Sequence, residues 1–226
     1  MVDAMYTVEK ECVICRNKFN VTKVRSRLNM IKQESDFCTY YKEVNPYYYT
    51  IWVCPHCGYA ARDSDYSEMP PAHSEVINTF LEGKDVRVDL CGQRTREQAI
   101  TSYKLAIYYA DMTGSKSSKL AGMYLRLGWL YREGGQADEE QMALSKAADY
   151  YDLALCKERL PVDNLSEVGL TYLIGELFRR TGKLEQALLY LGKAVSNKQA
   201  RMEPRILAMA RDAWHDARQA RDQGSP

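Results

Sequence analysis

Apolar positions change their period along this chain, and the change divides it. Phe19, Val21 and Val24 alternate with polar neighbours and predict a half-buried strand within 19–27. Tyr47-Tyr48-Tyr49-Thr50-Ile51-Trp52-Val53 is aromatic and β-branched throughout and predicts a second strand ending at Cys54. Asp36-Phe37-Cys38-Thr39-Tyr40-Tyr41 and Asn45-Pro46 carry turn chemistry. A polar run from Asp63 closes with Pro70-Pro71, after which Val76, Ile77, Phe80 and Leu81 predict a short helix over 72–81, stopped at Gly83. Thr95-Arg96-Glu97-Gln98 has the form of a capping box opening a long helix.

From Thr95 onward the period is 3.6. Three segments share the spacing small-x3-bulky-x2-Ala: Ala99/Tyr103/Ala106, Ala147/Tyr151/Ala154 and Ala187/Leu191/Ala194. Two others share a second spacing, Tyr124/Leu127/Gly128/Tyr131 and Thr171/Ile174/Gly175/Phe178. These resemble the second and first helices of a tetratricopeptide repeat, in which small residues let paired helices approach and large ones fill the space between. Gly175 to Ala187 is twelve residues, the standard spacing, whereas Gly128 to Ala147 is nineteen, which implies seven inserted residues around Gly134-Gly135. A last helix over 204–223, increasingly charged, suits a capping role. A generic helical bundle is the alternative reading of the same segments.

The chain thus reads as mostly α with a small β part (α+β): a metal-binding lobe over 1–69, a connector with a short helix over 70–94, and a tetratricopeptide-like helical domain over 95–226. Charge then narrows the functional classes. Lys+Arg is 31 against Asp+Glu 30, a net charge of +1, which excludes a bulk polycation for non-specific nucleic-acid binding. No run reaches the roughly 18 apolar residues of a membrane helix, and Met1 to Lys10 has no apolar signal segment, so a cytoplasmic protein is expected.

Seven cysteines, an odd number without an export signal, argue against a disulfide framework. Four form two C-x2-C pairs, Cys12/Cys15 and Cys54/Cys57. Two intervening residues let both sulfurs of a pair face one ion, so two such knuckles offer the four-sulfur tetrahedron of a structural zinc site. Zn2+ is the expected metal and iron the alternative, because Cys54-Pro55-His56-Cys57-Gly58 also has the form of a rubredoxin knuckle. The first knuckle continues with Arg16-Asn17 and lacks the glycine, which weakens that comparison. Four thiolates would leave no coordination position for catalysis. Cys38, near these pairs in sequence, reads as a packed or idle thiol.

Between Arg16 and Lys32 lie six basic residues and no acidic one. With Tyr40, Tyr41 and Tyr47–Tyr49 nearby, this stretch offers a nucleic-acid face, against a plainer reading as a solvated strand face. Phosphate-loop, dinucleotide, metalloprotease and serine-hydrolase motifs are missing from the sequence, and His56, His73 and His215 are isolated. No catalytic residue and no cofactor-binding residue is therefore assigned.

The order of motifs resembles a bacterial family catalogued as domain of unknown function 2225. The resemblance rests on Cys12-x2-Cys15, Asp36-Phe37-Cys38-Thr39-Tyr40-Tyr41, Asn45-Pro46-x2-Tyr49, Val53-Cys54-Pro55-His56-Cys57-Gly58-Tyr59-Ala60-Ala61 and Arg94-Thr95. It implies a cytosolic bacterial protein with a metal-binding head and a tetratricopeptide-like tail, and it implies no activity. The expectation is a non-enzymatic zinc-binding adaptor whose helical repeats bind a protein or peptide partner. A nucleic-acid-binding zinc ribbon using Arg16–Lys32 and a rubredoxin-like iron redox protein are the alternatives.

Overall fold

The computed structural model describes residues 4–67, 69–84, 86 and 88–224. The described part is mostly α with small antiparallel strand pairs, as the sequence patterning predicts. In chain order come β1 (Met5–Glu11), β2 (Lys18–Val24), β3 (Met30–Gln33), β4 (Thr39–Tyr41), β5 (Ile51–Val53), β6 (Ala60–Arg62), α1 (Pro71–Leu81), α2 (Arg96–Met112), α3 (Ser117–Glu133), α4 (Ala137–Lys157), α5 (Glu167–Arg180), α6 (Leu184–Ser196) and α7 (Pro204–Gly224). The chain resolves into two compact units. One holds residues 1–33 and 39–115; the other holds 34–38 and 116–226. The sequence boundary before Thr95 lies one helix earlier than this division, since α2 packs against β5 and β6 of the first unit.

The first unit contains three two-stranded antiparallel ladders: β1 with β2, β3 with β4, and β5 with β6. In the first, Glu11 pairs with Lys18, so the turn between them is the first cysteine knuckle. In the third, Val53 pairs with Ala60, and the turn is the second knuckle. The strand expected over 47–53 is shorter than that. Pro46–Tyr49 is a 3-10 turn and only Ile51–Val53 is strand. The cause is local: Asn45 caps the turn by accepting from the Tyr47 N–H, and Pro46 fixes φ at its first position. Half-buried Arg94 then ties this turn to the start of α2. Its guanidinium donates to the carbonyls of Tyr48 (3.0 Å), Ile51 (2.8 Å) and Leu90 (2.8 Å), and its own N–H donates to the Tyr49 hydroxyl. The α2 capping box expected at Thr95 is present, with both its side-chain bonds made.

In the second unit, consecutive helices pack on one another from α3 to α7. Gly128 of α3 lies against Leu144 and Ala143 of α4, where an added Cβ would come within 2.7 Å of the Leu144 side chain. Gly175 of α5 meets Leu191 of α6 in the same way, again at 2.7 Å. Both glycines precede their leucine by sixteen residues, which corrects the repeat register. Leu144 and Ala147, not Tyr151 and Ala154, correspond to Leu191 and Ala194. The seven extra residues are no insertion in the turn, because only residues 134–136 separate α3 from α4. In the corrected register nothing is inserted between glycine and leucine; α4, at 21 residues against 13 for α6, is longer at its C-terminal end, and a heptad shift along it keeps the same face inward.

Candidate metal centre

The four knuckle cysteines converge. Their sulfurs all lie within 4.8 Å of one another; Cys12 Sγ is 3.7 Å from Cys57 Sγ, and Cys15 Sγ is 3.6 Å from Cys54 Sγ. A tetrahedron with metal–sulfur bonds of about 2.3 Å has edges of about 3.8 Å, so the donor set fits a closed four-sulfur site. Cys12 and Cys54 are buried; Cys15 and Cys57 are partly exposed.

The two knuckles are built alike. The N–H of Arg16 donates to Cys12 O (3.0 Å) and that of Gly58 to Cys54 O (2.9 Å). The N–H of Cys12 donates to Asn17 O and that of Cys54 to Tyr59 O, both at 2.9 Å. The residue after each second cysteine is left-handed, Gly58 at φ 73° and Arg16 at φ 61°. Arg16 therefore adopts the conformation that its sequence position, lacking glycine, argued against; the cost of a left-handed non-glycine residue is of order 1 kcal/mol. At Gly58 a side chain is excluded twice, by φ and by Val86, which a Cβ would approach to 2.5 Å.

Four thiols this close cannot all ionise without a cation. The Cys12 thiol is held far below its ordinary value, first by the hydrogen bond from Cys54 and then by that from Cys57. Cys54 is pushed up to about 12 and Cys57 further still, each chiefly by its hydrogen bond to Cys12. Each thiol that binds a cation must give up its proton, so metal binding at this cluster would release protons.

Tyr66 completes the surroundings and gave no signal in the sequence. Its hydroxyl donates to Cys12 Sγ at 3.4 Å, and burial raises its pKa well above the tyrosine range. Its ring lies at the centre of an aromatic cluster, with centroids 5.3 Å from Tyr59 and 5.7 Å from both Phe19 and Trp52. A protected sulfur with an outer hydrogen bond is what holds a first-layer ligand in place. Cys38 stays apart from this cluster, buried in the second unit.

The basic stretch is partly neutralised where it can be followed. Lys18 pairs with Glu9 at 3.0 Å and Arg16 with Glu11 at 3.7 Å. Lys23 lies over the Trp52 ring, Lys32 over Tyr40 and Arg25 over Tyr6.

The chain matches the family model of an uncharacterised protein conserved in bacteria, DUF2225, over residues 5–217, and belongs to that family. It is also similar to an uncharacterised protein of Borreliella burgdorferi, 23% identical over 197 residues, covering 75% of this chain and 70% of that protein. No solved structure matches it. No helix among the described residues is long and apolar enough to cross a membrane.

Proposed function

We propose that this chain is a non-enzymatic adaptor, with one lobe stabilised by a zinc ion on Cys12, Cys15, Cys54 and Cys57 and a tetratricopeptide-like helical unit that recruits a protein partner. The observation that carries it is the set of four sulfurs at tetrahedral spacing, enclosed by matched knuckles. All four donors are used by one ion, so the metal's part is to hold the lobe together, contributing on the order of 10 kcal/mol of folding free energy. Support for the recruiting role is the recurrence of close helix pairs at Gly128 and Gly175, the construction of repeat proteins that grip peptides. A nucleic-acid role finds less support, because carboxylates and aromatic rings already engage several of the cations on 16–32.

The matched left-handed residues, Arg16 and Gly58, suit iron as well, and this keeps the redox reading as the second one. Elemental analysis of purified protein tests both. One zinc per chain, with chelation unfolding the first unit, supports the proposal. A red, iron-containing protein that bleaches on reduction replaces zinc by iron, and a protein with neither metal that is indifferent to chelator ends the metal reading.

A further inference from the structure

Residues 34–38 join β3 to β4 in sequence but belong to the helical unit. They form a tight acidic turn, with the Phe37 N–H donating to Glu34 O (3.0 Å) and the Cys38 N–H to an Asp36 carboxylate oxygen (3.2 Å). The surface under this turn is made by α3 and α5. Arg132 donates to Glu34 at 2.7 Å and to Asp36 at 2.6 Å; Trp129 Nε1–H donates to Asp36 at 3.1 Å. Arg180 donates to Glu34 at 3.2 Å and to the Ser35 hydroxyl at 2.9 Å. The Ser35 hydroxyl donates to Glu176 at 2.6 Å, the Tyr172 hydroxyl to Ser35 O at 2.7 Å, and the Phe37 ring lies 5.7 Å from the Tyr172 ring.

Every residue of the turn from Glu34 to Phe37 is thus read through a side chain or a carbonyl. This is the contact pattern of a bound recognition motif, with charge-assisted bonds, a paired hydroxyl and an aromatic anchor. The turn is also strained for its occupant: Phe37 is left-handed at φ 68°, a conformation bulky residues adopt only when the surroundings enforce it.

The geometry points to the α3/α5 surface as a receptor for an acidic turn of the form acidic-Ser-Asp-aromatic, with the chain's own residues 34–38 as its resident occupant. The partner it fits is a protein presenting the same four-residue turn, which would have to displace the resident one. This rests on the reading of the helical unit as a recruiting module and supplies the chemistry of its partner.

The probe is a cyclic peptide carrying Lys32–Tyr40 with Cys38→Ser, labelled with fluorescein, and its Asp36→Ala counterpart. The receptor is the full chain with Glu34→Ala, Asp36→Ala and Phe37→Ala, its fold checked by circular dichroism. Expected is saturable binding by this variant, weakened at least about 30-fold for the Asp36→Ala peptide or when Arg132→Ala is added. Wild type should bind far more weakly because its surface is filled. A folded variant that ignores the peptide, or equal binding by wild type, overturns the inference and leaves the adaptor reading standing.

Should the triple variant fail to fold, wild type still decides. Cys38 is 3% exposed beside the turn, whereas Cys156 is exposed. Millimolar cyclic peptide should speed alkylation of Cys38, followed by mass spectrometry with Cys156 as reference, and the Asp36→Ala peptide should not. No acceleration overturns the inference. If the peptide binds but no cellular partner is ever retained, the surface assignment stands and the recruiting role falls.

Discussion

The two units solve the same stability problem with different materials. The first has strands of only three to seven residues in three separate ladders, and two-stranded hairpins are marginal in water. Its centre is a sulfur cluster wrapped in tyrosines and one tryptophan. The second has helices of 13 to 21 residues with long runs of buried apolar positions, and α5 is buried along almost its whole length. Yet it places two charged residues, Asp36 and Glu176, completely out of water. Short elements bury little apolar area, which the proposed metal cross-link would offset; long helices supply packing themselves.

Removing the proposed metal cross-link should give the largest effect. Chelation or Cys54→Ser should cost the first unit on the order of 10 kcal/mol, seen as lost hydrogen-exchange protection in β1, β2, β5 and β6 while α3–α7 stay protected. Equal loss in both units would break the contrast. Next comes Asp36→Ala, which takes one of three carboxylates from Arg132 and the carboxylate acceptor from the Trp129 indole N–H, and should cost about 3 kcal/mol in denaturant unfolding of the helical unit.

Acid gives a smaller version of the same loss. Burial alone would raise the Asp36 pKa, but the hydrogen bond from Arg132 and the charges of Arg180 and Arg132 outweigh it and hold the carboxyl below its ordinary 3.8. A depressed carboxyl stabilises above its unfolded value and stops doing so as pH falls through the folded one. Wild type should therefore lose helical-unit stability below about pH 4, and Asp36→Asn should lack that part of the slope.

Smallest are the helix contacts. Gly175→Ala brings a Cβ to 3.0 Å from the backbone nitrogen of Leu191 and should cost about 1–3 kcal/mol. Gly128→Ala meets only the flexible end of Leu144, and the gain in helix propensity of about 1 kcal/mol should offset most of that clash, as melting temperatures would show.

Much of the candidate site was legible because cysteine spacing is a local signal: both knuckles, the α2 capping box and the paired-helix glycines all lie in short windows. What escaped depends on distant residues. Tyr66 reads as one tyrosine among seventeen until folding brings it to Cys12, fifty-four positions away. Arg132 and Arg180 look like ordinary helix-end cations, whereas Glu34, which both of them bind, lies in a turn 98 and 146 residues earlier. The heptad error at Ala147 shows a different limit: a shift of seven keeps the helix face, so periodicity alone cannot choose between Leu144 and Tyr151. Asn45-Pro46 read only as turn chemistry, and the aromatic run after it masked the 3-10 turn that Asn45 caps.

The interleaving of the units has a consequence for synthesis. Glu34–Cys38 leaves the ribosome before any part of α3 exists, so Asp36 waits hydrated until Arg132 and Trp129 arrive. A fragment begun at Lys116 would never meet it, and would carry Arg132 and the Trp129 indole into its interior without the carboxylate they are built around.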